Sequence, residues 1–126
     1  MSNESSILLV EDDLSLADSL VRFLEDHGYR THTARTVREG MSKLLQLRPR
    51  LCLLDLNLPD GSGMDILRQM VQQKLPMRAV VMTAFDLANA RPPDANGALA
   101  GWLTKPVNPC ELIRIVESVL GKGSGC

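Results

Sequence analysis

No stretch of this 126-residue chain is apolar for the roughly 18–20 residues that a bilayer-spanning helix requires. The first six residues, Met1-Ser-Asn-Glu-Ser-Ser6, carry neither the basic start nor the apolar centre of a secretory leader. An excess of positive charge is missing too. With 14 Lys and Arg against 15 Asp and Glu the net charge is −1, which leaves no basic field to hold nucleic acid. No basic amphipathic stretch marks a membrane surface either. Cysteine is sparse and odd in number: Cys52, Cys110 and Cys126 form neither a disulfide framework nor a zinc site. Cys52 reads as a small buried hydrophobe. There is no internal repeat. Together these absences point to a cytoplasmic protein.

What is present suits one globular domain. An apolar share of 44% and a charged share of 23% are ordinary for a folded chain of this length. Short continuous apolar runs, Ile7-Leu-Leu-Val10, Leu51-Cys-Leu-Leu54 and Ala79-Val-Val-Met82, predict central parallel strands covered on both faces. Arg30-Thr-His-Thr-Ala34 has β propensity but is polar, so it belongs at a sheet edge, and Gly101-Trp-Leu-Thr104 at the other.

Helical spacing separates these runs. Ala17, Leu20, Val21 and Leu24 make one apolar face, stopped by Gly28. Thr36 and Glu39 have capping-box spacing before Met41, Leu44 and Leu45. Ile66, Leu67, Met70 and Val71 follow the Gly61-Ser-Gly63 turn. The last helix has Asn108 as N-cap, Pro109 at its first position and Glu111 at its third. Its apolar face reads Leu112, Ile115, Val116, Val119 and Leu120, with Gly121 ending it.

Strict alternation of strand and helix predicts an α/β fold. Its form is a three-layer, doubly wound, five-stranded parallel sheet of flavodoxin-like order 2-1-3-4-5. Residues 1–5 are expected to be a disordered N-terminus, 6–120 the domain, and 121–126 a flexible tail or linker stub. The crossover between the fourth and fifth strands departs from the pattern. Pro92 and Pro93 bar a continuous helix there, so residues 86–97 are expected to hold a short or disordered one.

In such a fold a site forms beyond the carboxyl ends of the strands, at the switch between the first and third. The first strand runs into Glu11-Asp-Asp13 and the third into Asp55. Converging carboxylates repel unless a cation intervenes, and an all-oxygen set suits a hard ion such as magnesium. A solvated acidic loop is the plainer reading of either cluster alone. Thr83 ends the fourth strand, and Lys105-Pro106 follows the fifth. A hydroxyl and an ammonium at one rim can hold phosphoryl oxygens, although threonines also cap turns and lysines populate surfaces.

Four linked motifs carry a resemblance. Val10-Glu-Asp-Asp13, the stretch from Leu54 to Asp65, Met82-Thr-Ala84 and Trp102-Leu-Thr-Lys-Pro106 are similar in order and spacing to the receiver domains of bacterial two-component response regulators. The likeness runs from about Ile7 to Leu120.

It implies a phosphorylation-activated switch rather than an enzyme with turnover, one that catalyses only its own phosphorylation and slow autodephosphorylation. Asp55 would accept the phosphoryl group from a phosphohistidine on a sensor histidine kinase or histidine phosphotransfer protein. Asp12, Asp55 and the Asn57 carbonyl would bind Mg, and Glu11 would reach it through water. Lys105 and Thr83 would contact the phosphoryl group, with a cis bond before Pro106. Trp102 holds the place of the aromatic switch residue, though its residue type alone suits a plain edge-strand core position. Asn57 and Phe85 occupy positions that tune hydrolysis.

The implied output is a changed face of the fourth crossover helix, fifth strand and last helix, acting on an output domain or downstream protein. A phosphorylation-dependent dimer is compatible with this, and neither nucleic acid nor membrane is a direct partner. Asp13, a third acid, receives no role from the resemblance.

Two alternatives fit less well. A haloacid-dehalogenase-type phosphotransferase would place a second aspartate where Asn57 stands. A receiver-like binding module that is not phosphorylated would lack one of Asp12, Asp55 or Lys105, and all three are present. A flavin site would need a Gly- and hydroxyl-rich phosphate loop after the first strand.

Overall fold

A computed structural model describes residues 6–84 and 98–121. Nine elements follow in order: β1 (Ser6–Val10), α1 (Leu14–Asp26), β2 (Arg30–Ala34), α2 (Val37–Leu47), β3 (Leu51–Asp55), α3 (Gly63–Gln72), β4 (Arg78–Thr83), β5 (Leu99–Thr104) and α4 (Pro109–Leu120). The expected disorder of residues 1–5, the flexible tail and the short helix of residues 86–97 all concern segments outside the described residues, apart from Gly121, which caps α4.

The sheet is parallel throughout, in the order β2-β1-β3-β4-β5. The alternation of side chains along each strand divides the core into two layers. Ile7, Leu9, Leu51, Leu53, Val80, Met82 and Leu103 face α1 and α4. Leu8, Val10, Cys52, Leu54, Ala79 and Val81 face α2 and α3. Both faces are dry, which is why β1, β3 and β4 read as unbroken apolar runs. Burial pushes the Cys52 thiol up to about 12, so it packs as a hydrophobe. Cys110, for which the spacing suggested no partner, is disulfide-bonded.

Helix ends follow the expected chemistry with two differences. The Asn108 side chain accepts from the Cys110 and Glu111 amides, and Thr36 accepts from the Glu39 amide. Glu39, however, reaches back to the Arg35 amide rather than to that of its N-cap. On α4 the buried positions are Leu112, Ile113 and Val116, whereas Ile115, Val119 and Leu120 are only half-buried. The helix is rotated toward Ile113 because the edge strand β5 offers less cover than the sheet centre. Tyr29, just ahead of β2, is fully buried although nothing in its surroundings of charged residues signalled it.

Gly63 opens α3 against the end of β3. A Cβ placed there would lie 2.5 Å from the Asp55 carbonyl oxygen and 2.8 Å from Leu54 Cβ. Neither neighbour is the flexible tip of a side chain, so the helix start would have to move. Gly63→Ala is expected to destabilise the fold by about 1–3 kcal/mol, as overpacking does. A urea midpoint equal to that of the unsubstituted chain would contradict this close approach.

Candidate functional site

Parallel strands deliver their carboxyl ends to one rim. β1 and β3 pair directly, with Val10 opposite Leu54, so the residues that follow them, Glu11-Asp12 and Asp55, meet. One carboxylate oxygen from each of Glu11, Asp12 and Asp55 lies within 4.8 Å of the others. Glu11 and Asp55 are buried, while Asp12 is the more open of the three.

Lys105 enters this cluster from the opposite side. Its Nζ donates to Glu11 Oε1 at 2.7 Å and to Asp55 Oδ2 at 3.1 Å. Lys105 follows β5 directly, and β4 lies between that strand and β3. The Lys105 amide donates to the Thr83 carbonyl at 2.7 Å, and the peptide bond from Lys105 to Pro106 is cis. Thr83 itself is buried at the end of β4, opposite Thr104 of β5. Asp12, Asp55, Thr83 and Lys105 thus gather at one rim, as the spacing predicts.

Burial is the leading influence on Glu11, and it raises the carboxyl pKa. The Lys105 ammonium and the Asp13 amide oppose that rise, and neighbouring Asp55 adds to it. For Lys105 burial pulls downward, but the bonds to Glu11 and Asp55 outweigh it and the pKa is raised. The ammonium is therefore the cation that makes two buried carboxylates tolerable.

The loop after β3 is braced at several points. The Asn57 amide donates to Asp55 Oδ1 at 3.1 Å, and the Leu56 amide to the Met82 carbonyl at 3.0 Å. Leu58 and Gly61 exchange backbone hydrogen bonds across a small turn. Ser62 and Asp65 then cap α3 reciprocally. Beyond this rim a cavity of about 320 Å³ opens among Asp12, Arg35, Thr36, Glu39 and Pro59.

Two residues gain roles that the spacing did not assign. Asp13 is the N-cap of α1: its Oδ1 accepts from the Leu16 amide, and its own amide donates to Glu11 Oε2. Asp60 clasps the loop to α2, accepting from the Val37 amide at 2.7 Å and the Arg38 amide at 3.1 Å. These bonds hold its carboxyl below the ordinary carboxylate value. No sequence periodicity links a loop residue to a helix start 22–23 residues away.

Trp102 stands on β5 with 37% of its surface exposed. Leu103 joins the layer under α1 and α4, so Trp102 faces the other side of the sheet. It is not the edge-strand core residue that its type alone would suggest. Phe85, the second position associated with hydrolysis, lies outside the described residues.

Comparison with known proteins agrees with this geometry. A family profile described as "Response regulator receiver domain" matches residues 7–117. The alginate biosynthesis transcriptional regulatory protein AlgB of Pseudomonas putida is 34% identical over 110 residues, covering 87% of this chain and 25% of that protein. The cell cycle transcriptional regulator CtrA of Caulobacter vibrioides is 29% identical, covering 94% of this chain and 52% of its own. The chain thus spans a quarter to about half the length of these relatives. A CheY-like response regulator receiver domain protein from Methanospirillum hungatei superposes with a TM-score of 0.82. It is 30% identical, and the match covers 93% of this chain and 94% of the other.

The Asp60 clasp yields a test. Because its pKa is lowered on folding, its stabilisation is complete above the unfolded value near 3.8 and is lost as pH falls through the folded value. Asp60→Ala should therefore unfold at lower urea than the unsubstituted chain at neutral pH, with the gap closing only below that range. Hydrogen exchange at the Val37 and Arg38 amides should quicken. Unchanged exchange at both would contradict the clasp.

Proposed function

The chain belongs to the response regulator receiver domain family, and from that premise we propose that Asp55 is its phosphoryl acceptor and that phosphorylation switches the fold. The observation that carries the assignment is the double contact of Lys105 with Glu11 and Asp55 inside a buried acid cluster. A cationic side chain held there meets the charge that a phosphoryl group brings.

The donor is a phosphohistidine on a sensor histidine kinase or histidine phosphotransfer protein. An Asp55 carboxylate oxygen attacks phosphorus, an O–P bond forms, and the P–N bond breaks. The histidine nitrogen departs with the bonding pair and takes up a proton. Position and charge, rather than covalent chemistry by the protein, supply the rate in such transfers.

The three close carboxylates suit a hard divalent cation by donor type. Asp12, Asp55 and the Asn57 carbonyl would hold magnesium, with Glu11 reaching it through water, and the ion would offset the phosphoryl charge. Lys105 then turns from its two carboxylates toward the phosphorylated Asp55. Thr83, at the same rim, donates its hydroxyl to a phosphoryl oxygen.

Phosphorylation adds negative charge and three acceptor oxygens to a buried place. Drawing Thr83 inward frees space beside β5, and Trp102, now 37% exposed, turns into it. Such a switch needs only two packings separated by a few kcal/mol. β5 and α4 carry the altered surface to an output domain or downstream protein, with dimer formation as a further consequence. Asn57 and Phe85 set the rate at which water removes the phosphoryl group. The protein works in the cytoplasm and has no steady catalytic turnover. No helix among the described residues is long and apolar enough to cross a membrane.

Incubation with acetyl phosphate and magnesium should add the mass of one phosphoryl group. Asp55→Asn should abolish the gain, and removal of magnesium by a chelator should slow it by at least about tenfold, in line with metal charge stabilisation. Undiminished labelling of Asp55→Asn would overturn the assignment.

A further inference from the structure

The first amides of a helix have no partner within it and must find one elsewhere. In α2 the Glu39 amide donates to Thr36 Oγ1 at 3.0 Å, while the Val37 and Arg38 amides donate to Asp60 Oδ1 and Oδ2. One carboxylate from the loop after Asp55 thus completes the start of a helix that precedes it by 22–23 residues.

Asp60 stands at the tip of a tight turn. Leu58 and Gly61 exchange backbone hydrogen bonds at 3.1 and 3.3 Å around Pro59-Asp60. Leu58 is buried in the layer under α2 and α3. Gly61 lies so close to α2 that a Cβ on it would stand 3.3 Å from Val37 Cγ2. Asn57 lies between this turn and the acceptor, and its own amide donates to Asp55 Oδ1. The main chain at residue 57 is therefore held on both sides, by β4 through the Leu56 amide and by α2 through Asp60. The same clasp joins two walls of the cavity beside Asp12, since Pro59 belongs to the loop and Thr36 and Glu39 to the start of α2.

Ligands fixed in place before an ion arrives bind it more tightly, because the fold has already met the cost of ordering them. Removing a group that orients a metal ligand commonly weakens metal binding by about 10–100-fold. Asp60 is not one of the three close carboxylates Glu11, Asp12 and Asp55, so its influence would pass through the loop.

We propose that Asp60 is a positioning residue for the divalent-cation site, its clasp on α2 holding the Asn57 main chain ready for the ion. This rests on the reading that Asp12, Asp55 and the Asn57 carbonyl bind magnesium. Coupling of this kind is reciprocal: an ion that favours the clasped loop also tightens the clasp.

The test is a magnesium titration of the unphosphorylated chain, followed by amide NMR shifts of residues 11–13 and 55–57. Asp60→Ala should raise the magnesium Kd by about tenfold. Asp60→Asn, which loses the charge but keeps one oxygen for the Val37 amide, should raise it less. Val116→Ala, which opens the core under α4, should lower the urea midpoint yet leave the Kd unchanged. With acetyl phosphate, Asp60→Ala should need about tenfold more magnesium for half-maximal labelling and reach the same rate at saturation. In the unsubstituted chain, saturating magnesium should slow hydrogen exchange at the Val37 and Arg38 amides by about fivefold or more.

An unchanged Kd in Asp60→Ala overturns the proposal, as does exchange at Val37 and Arg38 that ignores magnesium. Equal rises in Asp60→Ala and Asp60→Asn overturn it by showing that lost charge suffices. An equal rise in Val116→Ala overturns it by showing that lost stability suffices. Absence of saturable magnesium binding by the unsubstituted chain would overturn the metal site itself, and the proposal with it.

Discussion

The contact on which the site depends is the Lys105 ammonium set between Glu11 and Asp55. Burial pushes Glu11 upward, and the Asp55 carboxylate beside it adds to that rise. One cation makes the arrangement tolerable. It is also the group that an incoming phosphoryl charge would engage, so the same contact serves the resting fold and the proposed chemistry.

The sheet makes this contact possible. In the order β2-β1-β3-β4-β5, residues 11, 55, 83 and 105 all leave the same edge. The dry layers under α1 and α4 and under α2 and α3 hold strand register, because a slip of one residue would turn each strand's core side chains to the wrong layer. Gly63 lets α3 start hard against the Asp55 backbone, and Asp60 ties the intervening loop to α2. The acceptor therefore sits on a braced loop whose partner groups come from three other places in the chain.

Much of this was legible in the residues. Continuous apolar runs located β1, β3 and β4 because both sides of those strands are covered, and Asn108-Pro109 marked the start of α4 because caps act locally. Order and spacing then put Asp12, Asp55, Thr83 and Lys105 at one rim. The unread parts share a different cause. Asp60 bonds to the first amides of α2, and the choice of Ile113 over Ile115 on α4 depends on how a helix settles against an edge strand. Tyr29 is buried through tertiary cover that its polar neighbours conceal. Such features arise from contacts between elements, where periodicity carries no signal.

The identity of the acceptor is the central claim, and borohydride trapping examines it most directly. Reduction of an acyl phosphate at an aspartate leaves homoserine, which peptide sequencing locates. After incubation with acetyl phosphate and magnesium, homoserine is predicted at position 55 alone. Homoserine at position 12 or 13 instead, or phosphate retained on His27 or His32, would contradict the account.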